Sequence, residues 1–203
     1  MLTIWGRINS HNVKKVVWLA EELGVPYDRR DMGGAFGMDD AYRALNPNAL
    51  IPTIEEDGFV LWESHSILRY LAATHGGERW FPSDPKARAL AERWMDWHFD
   101  WAEAIRPIFF QLVRTPPEQR DTALIARSAA QAARLSALID AQLGREAWLS
   151  GKDIGIGDIP VATYAHSWFQ LPVERPSRPH LERWYAALRE RAAFRDTVMI
   201  PLT

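Results

Sequence analysis

Hydrophobic residues keep strand-like and helix-like spacing by turns over the first seventy positions. Leu2-Thr3-Ile4-Trp5 reads as a strand, and Gly6 to Asn12 as a loop. From Val13 the apolar residues fall at 13, 16, 17, 20 and 23, the three-to-four spacing of an amphipathic helix. Gly24 stops that helix, with Pro26 just beyond, as helix C-termini favour. Tyr27 to Asp31 predicts a second short strand. Strand, helix and strand within ~30 residues form a βαβ unit, so these two strands should be parallel with a right-handed crossover. A glycine-rich stretch, MGGAFGMDD, follows as a loop, read as a flap rather than a phosphate cradle because it lacks the G-x-G-x-x-G and P-loop contexts. A short helix is expected over 40–45. Thr53-Ile54-Glu55, a turn at Glu56-Asp57-Gly58, and Phe59-Val60-Leu61-Trp62 then predict a hairpin. Ser64, a plausible N-cap, opens a helix whose Ile67, Leu68 and Leu71 recur at helical spacing.

Beyond His75-Gly76-Gly77 and the cluster WFPSDP, the pattern is helical throughout. One long helix is expected from Pro85 to Val113, kinked at Pro107, and a second from Glu118 to Leu143. A third should open near Gly155-Ile156-Gly157-Asp158 and run to about Phe169, and PHLERWYAALRERAAF should form one or two closing helices. The expected fold class is α+β: a thioredoxin-like βαβαββα domain over 1–77, a linker over 78–85 and an all-helical domain over 86–203.

Composition narrows the function classes. With 24 basic and 26 acidic residues the formal charge is −2, which gives no drive toward nucleic acid or an anionic membrane. No apolar run approaches the ~20 residues of a membrane helix, and the first ten residues lack a signal-peptide core, so a cytoplasmic address is expected. The 203 residues include no cysteine, which excludes disulfides, thiolate metal sites and any protein-thiol mechanism. Any thiol chemistry must therefore come from a ligand. The six histidines lack metal-ligand spacing, H-E-x-x-H is absent, and no metal is expected. No G-x-S-x-G elbow suggests a hydrolase.

The most informative stretch is 46–70, NPNALIPTIEEDGFVLWESHSILRY. Pro52 stands just before an apolar strand, where a residue without a backbone N–H marks a forced backbone shape. Glu63-Ser64 stands at a helix start, where free N–H groups attract carboxylates. NPN-x-x-IPT, the Asp-Gly hairpin and W-E-S-x-x-I-L-R-Y-L together resemble the glutathione site of the cytosolic glutathione transferase family, of the bacterial theta/nu-like type with a Ser/Asn active-site loop. The resemblance covers the whole chain, closely before Gly76 and loosely after it. It implies a cis Ile51–Pro52 bond, pairing of Ile51 with the cysteinyl backbone of glutathione, capture of the γ-glutamyl end by Glu63 and Ser64, and a further contact at Phe36. In relatives a polar or basic residue near Ala49 holds the glycine carboxylate. Ala49 cannot, which leaves Arg43, Lys14 or loop N–H groups at Phe36-Gly37 as substitutes.

The resemblance also implies a thiolate donor in the loop before the first helix, where both Ser10 and Asn12 are present. Ser10 is the preferred candidate, with Asn12 close behind, and the flanking His11 receives no role. A free thiol near pKa ~8.5 is mostly protonated at neutral pH, and a donor aimed at sulfur favours the thiolate. An ordinary N-cap is the competing reading of this Ser/Asn pair. The expected reaction is attack of glutathione thiolate on a small apolar electrophile. Alternatives are a non-catalytic binding or regulatory module and a glutathione-dependent peroxidase or disulfide reductase. The missing Ser-Cys doublet lowers a maleylacetoacetate-isomerase-like role. For the second substrate, Trp97, Trp101, Phe109 and Trp168 are candidates, although Trp94, Trp97 and Trp101, with His98 between turns, equally suit a core stripe or a dimer contact. A homodimer is implied, with Arg69 a candidate interface residue.

Overall fold

The computed structural model describes residues 1–203. A four-stranded sheet has the order β2-β1-β3-β4, built from β1 (Leu2–Trp5), β2 (Tyr27–Arg30), β3 (Thr53–Glu56) and β4 (Phe59–Trp62). Strand β1 pairs parallel with β2 and antiparallel with β3, and β3 pairs antiparallel with β4. The parallel step is bridged by helix α1 (His11–Leu23), as the crossover rule requires. Gly24 ends α1 in the left-handed conformation that its missing Cβ permits, with φ 65°. Asp57 and Gly58 both take positive φ, 51° and 84°, the geometry a two-residue hairpin needs.

Helix α2 (Asp40–Leu45) is capped by Asp39, whose carboxylate accepts from the Tyr42 amide at 2.8 Å. Helix α3 (Ser64–Leu71) starts differently from the sequence reading: Glu63 occupies the N-cap position at φ 71°, and Ser64 is the first helical residue. Leu71 also does not end the helical path. A π-helical turn (Ala72–Gly76) leads to helix α4 (Gly77–Trp80), so residues 78–80 of the expected linker are helical, and Trp80 is buried.

Helix α5 (Pro85–Phe109) carries Pro107 inside it and widens into a π turn over Phe110–Arg114. Helix α6 (Thr122–Leu143) begins four residues later than expected, because Asp121 caps it and accepts from the Leu124 amide at 2.8 Å, while Pro117–Gln119 form a separate 3-10 turn. Helices α7 (Asp158–Gln170), α8 (Pro179–Arg189) and α9 (Ala192–Thr197) complete the chain. One apolar cluster of 42 buried residues runs from Leu2 and Ile4 through α1 and α3 into α5, α7 and α9. The sheet half and the helical half thus share a core, and side chains at their junction are fixed from both sides.

Asp158 organises the entry to α7. It is fully buried, and its carboxylate accepts from the amides of Leu149, Ser150 and Gly155 and from the Trp184 indole, at 2.8–3.2 Å. The capping hydroxyl missing at Gly155 is supplied by Ser150, whose Oγ accepts from the Gly157 amide at 3.1 Å. A Cβ at Gly155 would lie 2.8 Å from the Ser150 Cβ, so a glycine there makes room for the substitute cap.

Candidate active site

The loop before β3 is held by one side chain. Asn46 is buried, and its amide donates to the Leu50 carbonyl at 2.9 Å and to the Thr53 hydroxyl at 3.1 Å, while its oxygen accepts from the Asn48 amide at 3.0 Å. Tyr42 adds a hydroxyl bond to the same Leu50 carbonyl at 2.6 Å. These bonds fix the backbone through Ile51–Pro52, whose peptide is cis, and through Ala49 at φ 52°. Pro52 is buried and Ile51 half-buried. Eleven residues on, Glu63 and the nearly buried Ser64 open α3, whose first amides have no partner inside the helix. The Glu63 carboxylate is exposed and caps nothing. Phe36 lies in a 3-10 turn (Gly34–Phe36) with its ring 60% exposed.

The substitutes for the glycine-carboxylate contact fare unequally. Lys14 is excluded: it is buried, and its ammonium donates to the Val198 carbonyl at 3.0 Å. The amides of Phe36 and Gly37 are turned into their own loop, onto the carbonyls of Gly33 and Gly34. Arg43 remains at the surface, donating to the Met38 carbonyl at 3.2 Å and lying 3.8 Å from Asp40.

Ser10 is the N-cap residue of α1, yet its hydroxyl does not cap the helix, so it is free to face a ligand. Asn12, the second residue of α1, is held from behind. Its Oδ1 accepts from the Lys15 ammonium at 2.9 Å, which leaves the amide hydrogens for the open side. Lys15 is fully buried and also meets His98 Nε2 at 3.0 Å and His65 Nε2 at 3.4 Å. His98 Nδ1 lies 2.6 Å from the Met95 carbonyl, which only accepts, so Nδ1 carries the proton and Nε2 is bare toward Lys15. Burial lowers the Lys15 ammonium to about 7, against a smaller opposing pull from Glu63. Burial, and then the Lys15 charge, hold His65 near 3 and His98 near 2, so both rings are neutral at physiological pH. Sequence reading missed Lys15 because a lysine inside an apolar helix stripe reads as solvent-facing.

Ser10, His11 and Asn12 form one wall of a pocket of ≈ 170 Å³. Ile105, Arg106, Phe109, Phe110, Arg114 and Tyr164 line it as well, with Arg7 and Asn9 from the loop after β1. The His11 ring stacks on Tyr164 at 4.4 Å and bonds Ser167 Oγ at 2.7 Å, which ties the loop to α7. Of the four second-substrate candidates, only Phe109 lines this pocket. Trp101 and Trp168 pack against each other in the core, and the Trp101 indole donates to the Ala132 carbonyl at 3.1 Å. Trp97 lies edge-on to Trp94 in a separate hollow between α5 and α6. The tryptophan stripe therefore faces the α5–α6 seam, because residues at i, i+3 and i+7 turn to whichever helix covers that face.

Arg7, Arg106 and Arg114 were not singled out by the sequence, since arginines on a loop or at a helix end carry no motif.

Comparison with known proteins agrees with this geometry. A family profile described as Glutathione S-transferase, N-terminal domain, matches residues 9–74. The chain is 45% identical over its whole length to "Glutathione S-transferase GstB" of Escherichia coli, covering all of that protein. It is 30% identical to "Glutathione S-transferase 3" of Zea mays, over 99% of this chain and 95% of the relative. Among solved structures, the theta class glutathione S-transferase from Xanthomonas axonopodis pv. citri, crystallised with glutathione bound, superposes with a TM-score of 0.94 at 48% identity, covering 100% of this chain and 99% of the other. With the cis Ile51–Pro52 loop, the Glu63-Ser64 helix start and the Ser10/Asn12 mouth of α1 in one molecule, the chain belongs to the glutathione S-transferase family.

Proposed function

We propose that this protein is an enzyme that binds glutathione along the 51–64 wall, supports its thiolate with Ser10 and Asn12, and directs that sulfur at a small electrophile in the neighbouring pocket. Ile51 offers its backbone to the cysteinyl unit, Glu63 accepts from the γ-glutamyl ammonium, and Ser64 with the first amides of α3 receives the carboxylate. Phe36 covers the ligand with its exposed ring. The observation that supports the reading is the Lys15–Asn12 bond: it occupies the amide oxygen and leaves the N–H donors of Asn12 for the pocket that it lines with Ser10. Two neutral donors, together with the positive end of the α1 dipole, favour S⁻ over S–H. Asn12 therefore stands level with Ser10 as a thiolate donor. The co-substrate must be held as a free thiol, which points to a cytoplasmic setting. A homodimer goes with the reading, formed over the face of α3 and α5 where Phe99 is exposed beside His65. Arg69, the candidate for that interface, lies 2.9 Å from Glu92 and 3.5 Å from Asp96 within the chain.

The test is calorimetric binding of glutathione, followed by turnover with an isothiocyanate, a chloronitrobenzene and an organic peroxide. The bound thiol, titrated through its ultraviolet thiolate band, should ionise below the ~8.5 of a free thiol. Ser10→Ala and Asn12→Ala should each raise that value by about one unit, about tenfold in thiolate at neutral pH. Binding with no turnover of any electrophile would make the protein a carrier, and no binding at all would refute the reading.

A further inference from the structure

The electrophile pocket carries more positive charge than a thiolate and a neutral substrate require. Arg7 comes from the loop after β1, Arg106 from the end of α5 and Arg114 from the π turn beyond it, and all three line the cavity. Arg106 pairs with Glu103 at 2.8 Å on the exposed rim. Arg7 donates instead to the side-chain oxygen of Asn9 at 2.5 Å, and Arg114 to the main-chain oxygen of Thr203. Burial first, and the Arg114 charge second, hold the Arg7 guanidinium below its ordinary range, and both side chains line the same cavity. Room for Arg7 comes from Gly34, where a Cβ would lie 2.9 Å from Arg7 Nε. The Arg114 guanidinium lies over the Phe109 ring, 5.5 Å from its centroid, and Phe109 and Tyr164 line the same cavity as Ser10. At ≈ 170 Å³ the cavity falls below the roughly 300 Å³ at which pockets for drug-sized ligands begin.

We infer that the second substrate is a small electrophile bearing a carboxylate, whose acid group is held by Arg114 and Arg7 while its reactive carbon rests on Phe109 and Tyr164 beside the glutathione sulfur. The inference rests on the transferase reading above and adds the substrate class to it. Guanidinium is the fitting receptor, because it offers a planar fork of donors to both carboxylate oxygens. In the step, the thiolate of glutathione attacks the carbon bearing a leaving group. The C–S bond forms as the carbon–halogen bond breaks, the halide departs with the bonding pair, and the thiol proton has already gone to solvent. Nothing is oxidised or reduced.

Iodoacetate and iodoacetamide form a matched pair, alike in size and leaving group and differing in charge. The measurement is kcat/KM for each, divided by its uncatalysed rate with glutathione. The normalised value should favour iodoacetate by about tenfold or more. Arg114→Gln should lower it for iodoacetate by about ten- to hundredfold while changing iodoacetamide by less than about threefold, and leave the glutathione Kd unchanged. Arg7→Gln, measured in the same way, guards against a local effect of Arg114 on the C-terminal segment. No preference for iodoacetate in the unaltered protein would overturn the inference. So would equal losses for both substrates with a weaker glutathione Kd, since the arginines would then serve glutathione itself. Either result leaves the transferase reading standing if glutathione still binds and an isothiocyanate is still turned over. Failure of glutathione to bind would fell that reading instead.

Discussion

The two walls of the cleft are made in different ways. The wall proposed for glutathione is local: Asn46 through Ser64 is one continuous stretch, and the side-chain bonds that hold its loop span at most eleven residues. The facing wall is assembled from afar, with Arg7 on a loop, Phe109 and Arg114 at the end of α5, and Tyr164 on α7. A ligand that never changes is met largely by backbone amides and fixed loops. A ligand that can vary is met by side chains projecting from helices, which single substitutions can exchange without disturbing the first wall. Between them lies the α1 mouth, where Lys15 reaches back to His98 on α5 and forward to Asn12.

That contrast is open to attack at four places. Asp158→Asn replaces one of the two oxygens that serve four donors with an NH2 facing two of them, and should cost about 3 kcal/mol or more, read by urea unfolding. The loss should reach the helical wall first, as faster hydrogen exchange in α7, and equal early loss in β3 would mean the walls are not separately supported. Acid should act next. His65, His98 and His166 are neutral when folded, held near 3, 2 and 4 mainly by burial, whereas the unfolded chain protonates them near 6.5. From pH 6.5 down to about 4 the unfolded state therefore binds more protons, and stability falls as pH falls, by up to ~1.4 kcal/mol per pH unit for each ring. A urea midpoint constant over that range would show the rings are not buried as described.

Asn46→Ala should weaken glutathione binding about tenfold and cost about 1–2 kcal/mol, because the Leu50 and Thr53 contacts lose their donor. The normalised iodoacetate preference should survive it, since the other wall is untouched. Lys15→Met is the finest probe. Methionine fills the lysine's space without charge, so stability should shift by less than about 2 kcal/mol, while Asn12 loses the bond that aims it. Turnover should drop about tenfold, to the level of Asn12→Ala, and the double variant should be no worse than either single one. Additive losses would separate Lys15 from Asn12.

How much of this was legible beforehand follows the same division. The βαβαββα order, the hairpin at Asp57-Gly58 and the residues of the 51–64 wall all stand in the sequence, because each depends on turn chemistry and periodicity within a few residues. Helix starts were less secure. Ser64 reads as a cap until the positive φ of Glu63 moves the boundary by one, and Glu118 yields to Asp121 because the shorter carboxylate reaches back to an amide.

Spacing put Trp94, Trp97 and Trp101 on one face of a helix, but only packing decided that Trp101 meets Trp168 in the core and that Trp97 lies in a different hollow. The sequence alone determined the family, the sheet and the local wall. Tertiary structure decided that Lys15 is buried against two histidines and that Arg7, Arg106 and Arg114 meet in one pocket. Charges distant in the chain show no periodicity, and their meaning arises only when folding removes the water between them.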